Sequence, residues 1–288
     1  MNIAIFGDLH GKILLAFKLC ARWQQETGQK IDVILQAGDL GVFSDYARLD
    51  DATIRHAQKD PDELGFMTYF MQHDPQAAAI LAQTTCPMLF VRGNHEDHNW
   101  LDELEQQSDD ILFPIDAYQR IYCLKSGLPY TISSIEQPLT ILGIGRVGAR
   151  SGQGDPNQAQ FIQPHERKRL QQLAPASLSI DLLLTHDSAR NFVTEGYGMN
   201  EIRQTLNHHR PLYHFYGHTG KPANQRLDTN GSTQSCQLSD LGWQFRNGGV
   251  VRTNAMSILR WQGPNEHTFE VVNEPWLKEY SMYNWLYV

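Results

Sequence analysis

The chain is poor in cysteine, in positive charge and in long apolar runs. Its four cysteines (Cys20, Cys86, Cys123, Cys236) stand far apart with no CxxC pair, which excludes a zinc-ribbon reading. They read as small core residues or idle thiols in a reducing compartment. Basic residues are outnumbered 24 to 32, a formal net charge of −8. That balance weighs against long duplex DNA or RNA as partner, because such binders carry a basic face. A local basic groove stays open. No stretch approaches the apolar length needed to cross a bilayer, so a membrane partner is not expected. The chain runs from Met1 straight into Ile3-Ala4-Ile5-Phe6, with no basic n-region, long apolar h-region or cleavage site. No signal peptide is read there, and the cytoplasm is the expected location. Neither a repeat nor a low-complexity tract nor a clean linker breaks the 288 residues, so one domain over 1–288 is expected.

What is present is an alternation of strands and helices. Residues 1–6 form a short apolar strand. Residues 12–25 place Ile13, Leu14, Phe17, Leu19 and Trp23 at helical spacing, and 31–37 form a second strand. Asp8 and Asp39 are 31 residues apart, about one βαβ unit, and each sits just past a strand. That is the sheet edge where open α/β folds place their chemistry. Residues 43–85 precede a third strand, 87–91, and read as a helical insertion, with Asp62 and Asp74-Pro75 as helix starts. The insertion's aromatics (Phe43, Tyr46, Phe66, Tyr69, Phe70) either pack on the body or form a cap that selects substrate. Further strands are expected at 128–132, 139–144, 180–184, 212–216, 250–261 and 268–272, with a helix at 164–173. Residues 145–160 and 221–240 are rich in loop formers. The aromatic tail, 275–288, is expected to pack on the body.

Five short motifs end strand-like runs: Gly7-Asp8-Leu9-His10-Gly11, Gly38-Asp39-Leu40-Gly41, Gly93-Asn94-His95-Glu96, Thr185-His186-Asp187 and Gly217-His218-Thr219-Gly220. Asp, His and Asn supply O and N ligands to divalent metals, and two such metals activate water against phosphorus. Asp8 and His10, two residues apart in a turn, can point at one centre. Asp39 is the candidate bridging carboxylate. Asn94 offers an amide oxygen, and His186 and His218 offer imidazole nitrogens. His95 need not bind metal; protonated, it could donate to a leaving oxygen. Asp97 or Glu96 could orient that imidazole, and Asp97 joins His95 as a candidate catalytic residue. Arg146 and Arg150, in a Gly-rich loop after a strand, are the candidate phosphate-binding cations. Arg92, directly before Gly93, is expected to face away from the site. His56, His73, His208, His209 and His267 read as ordinary surface or core residues.

At these motifs the chain resembles the calcineurin-like metallophosphoesterases: D-x-H, then G-D, then G-N-H-[ED], then a lone His, then G-H. The matching segments run from residue 1 to about 220. The resemblance implies a four-layer α/β/β/α sandwich with a dinuclear site at its sheet edges. It also implies Asp8, His10 and Asp39 on one metal, Asp39, Asn94, His186 and His218 on the other, and His95 as the acid. One position departs. Many members have a second His where this chain has Gly220, which removes an expected ligand of the first metal. The G-D-x-V-D-R-G extension of the protein serine/threonine phosphatases is also missing after Gly38.

The expected function is metal-dependent phosphoester hydrolysis by a metal-bound hydroxide, with a phosphomonoester favoured over a diester. Two divalent ions are expected, with Mn, Fe or Zn equally compatible with the ligands. A phosphorylated small molecule, a nucleotide or a phosphoprotein fits as substrate. A catalytically weak interaction scaffold and a nucleotide phosphodiesterase or nuclease are the alternatives. The scaffold would not be expected to keep all six ligand residues and His95. The nuclease needs a basic groove with stacking aromatics, and no such cluster is visible.

Overall fold

Alternation with a period of two builds the first sheet. In the strand Asn2–Phe6, Ile3 and Ile5 enter one core while Ala4 and Phe6 enter another. The computed structural model describes residues 1–133, 137–149, 158–173 and 179–288. Four strands, Asn2–Phe6, Val33–Gln36, Met88–Phe90 and Ile121–Leu124, lie side by side and parallel. The antiparallel strands Ser257–Gly263 and Glu266–Val271 extend one edge, and Leu112–Pro114 closes the other. A second sheet has a parallel centre of Gln234–Gln237, Tyr213–Tyr216, Leu182–Thr185 and Leu139–Ile144. Asn224–Leu227 and Pro129–Ile132 flank it antiparallel.

The two sheets face each other through one apolar core. Ile3, Ile5, Leu35 and Leu89 of the first meet Ile141, Leu182, Leu184 and Phe215 of the second. Each such side chain, fully buried, contributes about 1.5–3 kcal/mol. The outer face of the first sheet packs on the helix Ile13–Thr27 through Phe6, Leu14, Phe17 and Phe90. That helix stops at Gly28, whose left-handed φ of 68° lets its N–H return to Gln24 O. The outer face of the second sheet packs on Asn200–His209 through Leu142, Ile144, Ile202 and Leu206. Layer by layer this is the expected four-layer α/β/β/α sandwich.

The insertion is helical, in short pieces: Tyr46–Arg48, Asp51–Ala57, Pro61–Leu64, Gly65–Tyr69 and Pro75–Leu81. Asp50 and Asp74 cap two of them, accepting from Thr53 N at 2.7 Å and Ala77 N at 2.8 Å. The expected cap at Asp62 belongs instead to Asp60, because Pro61 occupies the first turn. Asp62 accepts from Trp285 Nε1 at 3.0 Å. Phe43, Phe66 and Phe70 are core residues, and Tyr46 is exposed. The tail packs inward through Trp276, Tyr280 and Trp285. Two expectations change. The run 250–261 splits into Val250–Val251 and Ser257–Gly263. Residues 221–240 contain the strands Asn224–Leu227 and Gln234–Gln237. The outer one is an exposed polar edge, so it carries no apolar alternation. Among the described residues, no helix is long and apolar enough to cross a membrane.

Candidate metal centre

The carboxyl ends of five parallel strands converge. Loops after Asn2–Phe6, Val33–Gln36 and Met88–Phe90 carry Asp8 with His10, Asp39, and Asn94; loops after Leu182–Thr185 and Tyr213–Tyr216 carry His186 and His218. Asp39 O accepts from Leu9 N at 3.0 Å and His10 N at 2.9 Å, stitching the first two loops together. Asp39 Oδ1 accepts from Asn94 N at 2.7 Å and His95 N at 2.8 Å, stitching in the third. That approach requires Gly93, where a Cβ would lie 2.0 Å from Asp39 Oδ1. Asp8 Oδ1 accepts from His218 N at 3.0 Å, tying the fifth loop to the first. His10, Asp39 and His218 all have left-handed backbones, with φ of 43°, 52° and 63°. Each costs on the order of 1 kcal/mol, the kind of strain that persists where the surroundings over-determine a site.

The side chains form two clusters that share one carboxylate. Donor atoms of Asp8, His10 and Asp39 lie within 4.8 Å of one another, and so do those of Asp39, His186 and His218. Asn94 joins the second cluster, its Oδ1 3.0 Å from His186 Nε2. His186 Nδ1 donates to Ala37 O at 2.9 Å, which aims Nε2 at Asp39 Oδ1, 3.3 Å away. Electrostatics point the same way. Burial pushes the Asp8 carboxyl up to about 7. Burial also opposes ionisation of Asp39, yet His186 and His10 hold it well below the usual carboxylate range. Against its own burial, His186 is drawn up to about 10 by Asp39 and Asp8. Burial takes His10 down to about 4, leaving a neutral imidazole with a free lone pair. Buried carboxylates that draw a proton onto a neighbouring imidazole are short of positive charge. A divalent cation would supply that charge, and this O/N donor set fits one.

His95 stands beside the first cluster, its ring centroid 5.7 Å from that of His10. Its Nδ1 contacts Asp50 Oδ2 at 2.7 Å. Burial disfavours its charge, but the Asp50 bond and the Asp39 charge raise it to about 9. Asp50, in the insertion, is therefore the residue that orients His95. Asp97, one of the two candidates for that role, turns away. It accepts from Ser44 Oγ at 2.6 Å and caps the helix His98–Gln107 through Trp100 N at 3.1 Å. Glu96 braces the loops, accepting from Leu40 N at 2.9 Å and Val42 N at 2.7 Å. Arg146 does not face the clusters either. It is fully buried, 2.6 Å from Asp102 and 3.2 Å from Glu166, and it donates to Ala159 O. A guanidinium with those partners is committed to an internal ion network. Arg92 belongs to the same network through Asp102 and Glu105. Arg150 lies outside the described residues. His98 and His214 are buried; His98 lies against Arg146, and His214 Nε2 is 2.9 Å from Thr185 Oγ1. Sequence reasoning missed Asp50; its one local mark is the N-cap position before Asp51–Ala57, which says nothing of His95.

Known proteins share this architecture. A solved Thermus thermophilus protein, TT1561, superposes with a TM-score of 0.52 at 15% identity, over 94% of this chain and 98% of its own. At that identity the likeness is one of fold. The lariat debranching enzyme of Arabidopsis thaliana is 26% identical over 104 residues. That stretch is 36% of this chain, and the chain spans only 22% of the enzyme's length. The calcineurin-like phosphoesterase model matches residues 1–222, which contain both clusters and His95. The chain belongs to the calcineurin-like phosphoesterase family.

Proposed function

We propose that the chain is a metal-dependent phosphoester hydrolase with a two-cation centre. The observation that carries this is the sharing of Asp39 between the two donor clusters. Asp8, His10 and Asp39 would hold one cation, and Asp39, Asn94, His186 and His218 the other. Bound there, such a pair polarises a phosphoryl oxygen and acidifies water. The chain's own residues do the rest. Two backbone N–H groups fix the Asp39 carboxylate, so it need not reorganise during the reaction. His95, held by Asp50, keeps a proton at neutral pH and delivers it from its imidazole to the leaving oxygen. Mn, Fe and Zn all suit these ligands. The four cysteines are free, buried thiols, which supports a reducing compartment such as the cytoplasm.

A phosphomonoester is the favoured substrate, with one organic arm leaving towards His95. A phosphodiester is the second reading. It draws support from a further cavity of about 540 Å³ beyond His218, lined by Gly148, Phe161, Tyr197 and Lys221, where a second arm would fit. Phosphomonoesters, bis-aryl phosphates, cyclic nucleotides and phosphopeptides, each assayed with Mn added, test the proposal. Turnover of monoesters above diesters is expected. Turnover of none of them overturns it.

A further inference from the structure

Two stretches far apart in sequence wall off the His10 end of the centre. One is the insertion, through His56, Lys59 and Glu63; the other is the hairpin of Trp243–Gln244 and Val250–Val251. Between them runs a groove of about 340 Å³ that starts at His10. At its lip stands Phe245, 65% exposed, on the hairpin's turn Phe245–Asn247. Burying such a ring in the body would stabilise the fold, a gain this position forgoes. Trp243, 3% exposed, forms part of the groove wall with its ring packed in the core. Lys59, on the facing wall, makes no side-chain ion pair among the described residues.

The tail holds both walls in place. Val251 N donates to Tyr280 O and Met282 N to Gly249 O, each at 2.9 Å, securing the hairpin. Trp285 Nε1 donates to Asp62 Oδ2 in the insertion. Phe245 is thus exposed on a braced turn, not on a frayed end. An exposed aromatic across from Lys59, in a groove that starts at His10 of the centre, suits a flat ring with polar edges.

We infer that this groove takes the organic arm of the phosphoester as a flat aromatic ring stacked on Phe245, so that aryl or nucleoside phosphates are preferred over aliphatic ones. The inference rests on the hydrolase reading above. Its test compares phenyl phosphate, AMP and glycerol 3-phosphate on the wild type, Phe245→Ala and Phe245→Trp, with Mn added. Adenosine, which carries the ring and no ester, is titrated calorimetrically in parallel. In Phe245→Ala, the kcat/KM preference for the ring-bearing esters over glycerol 3-phosphate is expected to fall about tenfold, with adenosine binding weakened in step. Phe245→Trp keeps both. A shift with phenyl phosphate alone assigns aryl esters; a shift with AMP alone assigns nucleotides. Unchanged preference and unchanged adenosine binding in Phe245→Ala overturn the inference. If the wild type hydrolyses no ester yet binds adenosine through Phe245, the hydrolase reading falls and the groove assignment stands.

Discussion

Asp50→Asn separates two jobs done by one side chain. Asp50 Oδ2 holds His95 Nδ1 at 2.7 Å, and Oδ1 caps the helix Asp51–Ala57 through Thr53 N at 2.7 Å. Asn caps about as well as Asp, so helix stability should change by less than about 1 kcal/mol. What goes is the charge on the bond to His95. A hydrogen bond to a charged group contributes about 1.5–3 kcal/mol. The two side chains here are 27% and 34% exposed, so water screens the pair and the lower end applies. At about 1.4 kcal/mol per decade, kcat on an aryl phosphate should fall about tenfold. Metal content and thermal midpoint should stay near wild type. His95→Ala should cost more, and adding Asp50→Asn to it should cost little further, because the two act as one unit. Wild-type kcat in Asp50→Asn would refute the role of Asp50. So would additive losses in the double variant, or activity and metal lost together.

Three other outcomes are expected. Arg146→Met leaves Glu166, buried in the interior, without its guanidinium, while Asp102 keeps Arg92; it should lower stability by about 3 kcal/mol in urea titration while KM of the folded enzyme barely moves, and a raised KM with intact stability would return Arg146 to the phosphate. Burial drives the His214 ring from 6.5 down to about 3, so the unfolded chain binds more protons between those values and stability falls as pH drops through that window. About 2 kcal/mol should be lost near pH 5 relative to pH 8, and His214→Gln should lack that share; identical pH profiles would contradict this. Gly220→His has open space at its Cβ but a φ of 59°, so it should lower stability by about 1 kcal/mol while slowing chelator stripping of the first cation. An unchanged stripping rate would place residue 220 away from that cation.

The ligand loops were legible because four of the five pair a glycine with an Asp, Asn or His after an apolar run, and the fifth, Thr185-His186-Asp187, follows Leu182-Leu183-Leu184 directly. That is a local signal, and a strand end needs no distant information to be seen. The sheet centres were legible for the same reason, as with Leu139–Ile144. What failed was long-range or polar. The partner of His95 lies 45 residues back in the insertion, and its approach depends on how that segment folds over the site. Arg146 looked free because its anchors, Asp102 and Glu166, come from two separate helices. The strand Asn224–Leu227 is exposed at every position and leaves no alternation to read. Of the insertion's aromatics, Phe43, Phe66 and Phe70 turned out to fill the core. The exposed ring at the groove, Phe245, is a single residue in a turn and leaves no periodic mark.

The central claim is that one carboxylate serves two cations, and counting bound metal tests it most directly. After reconstitution with Mn and removal of excess, native mass spectrometry of the wild type should show two ions per chain. Asp8→Asn should keep the ion at His186 and His218, whereas Asp39→Asn should lose both, because Asp39 alone belongs to both donor sets. Wild-type metal content in Asp39→Asn, or a single ion in the wild type, would contradict the account.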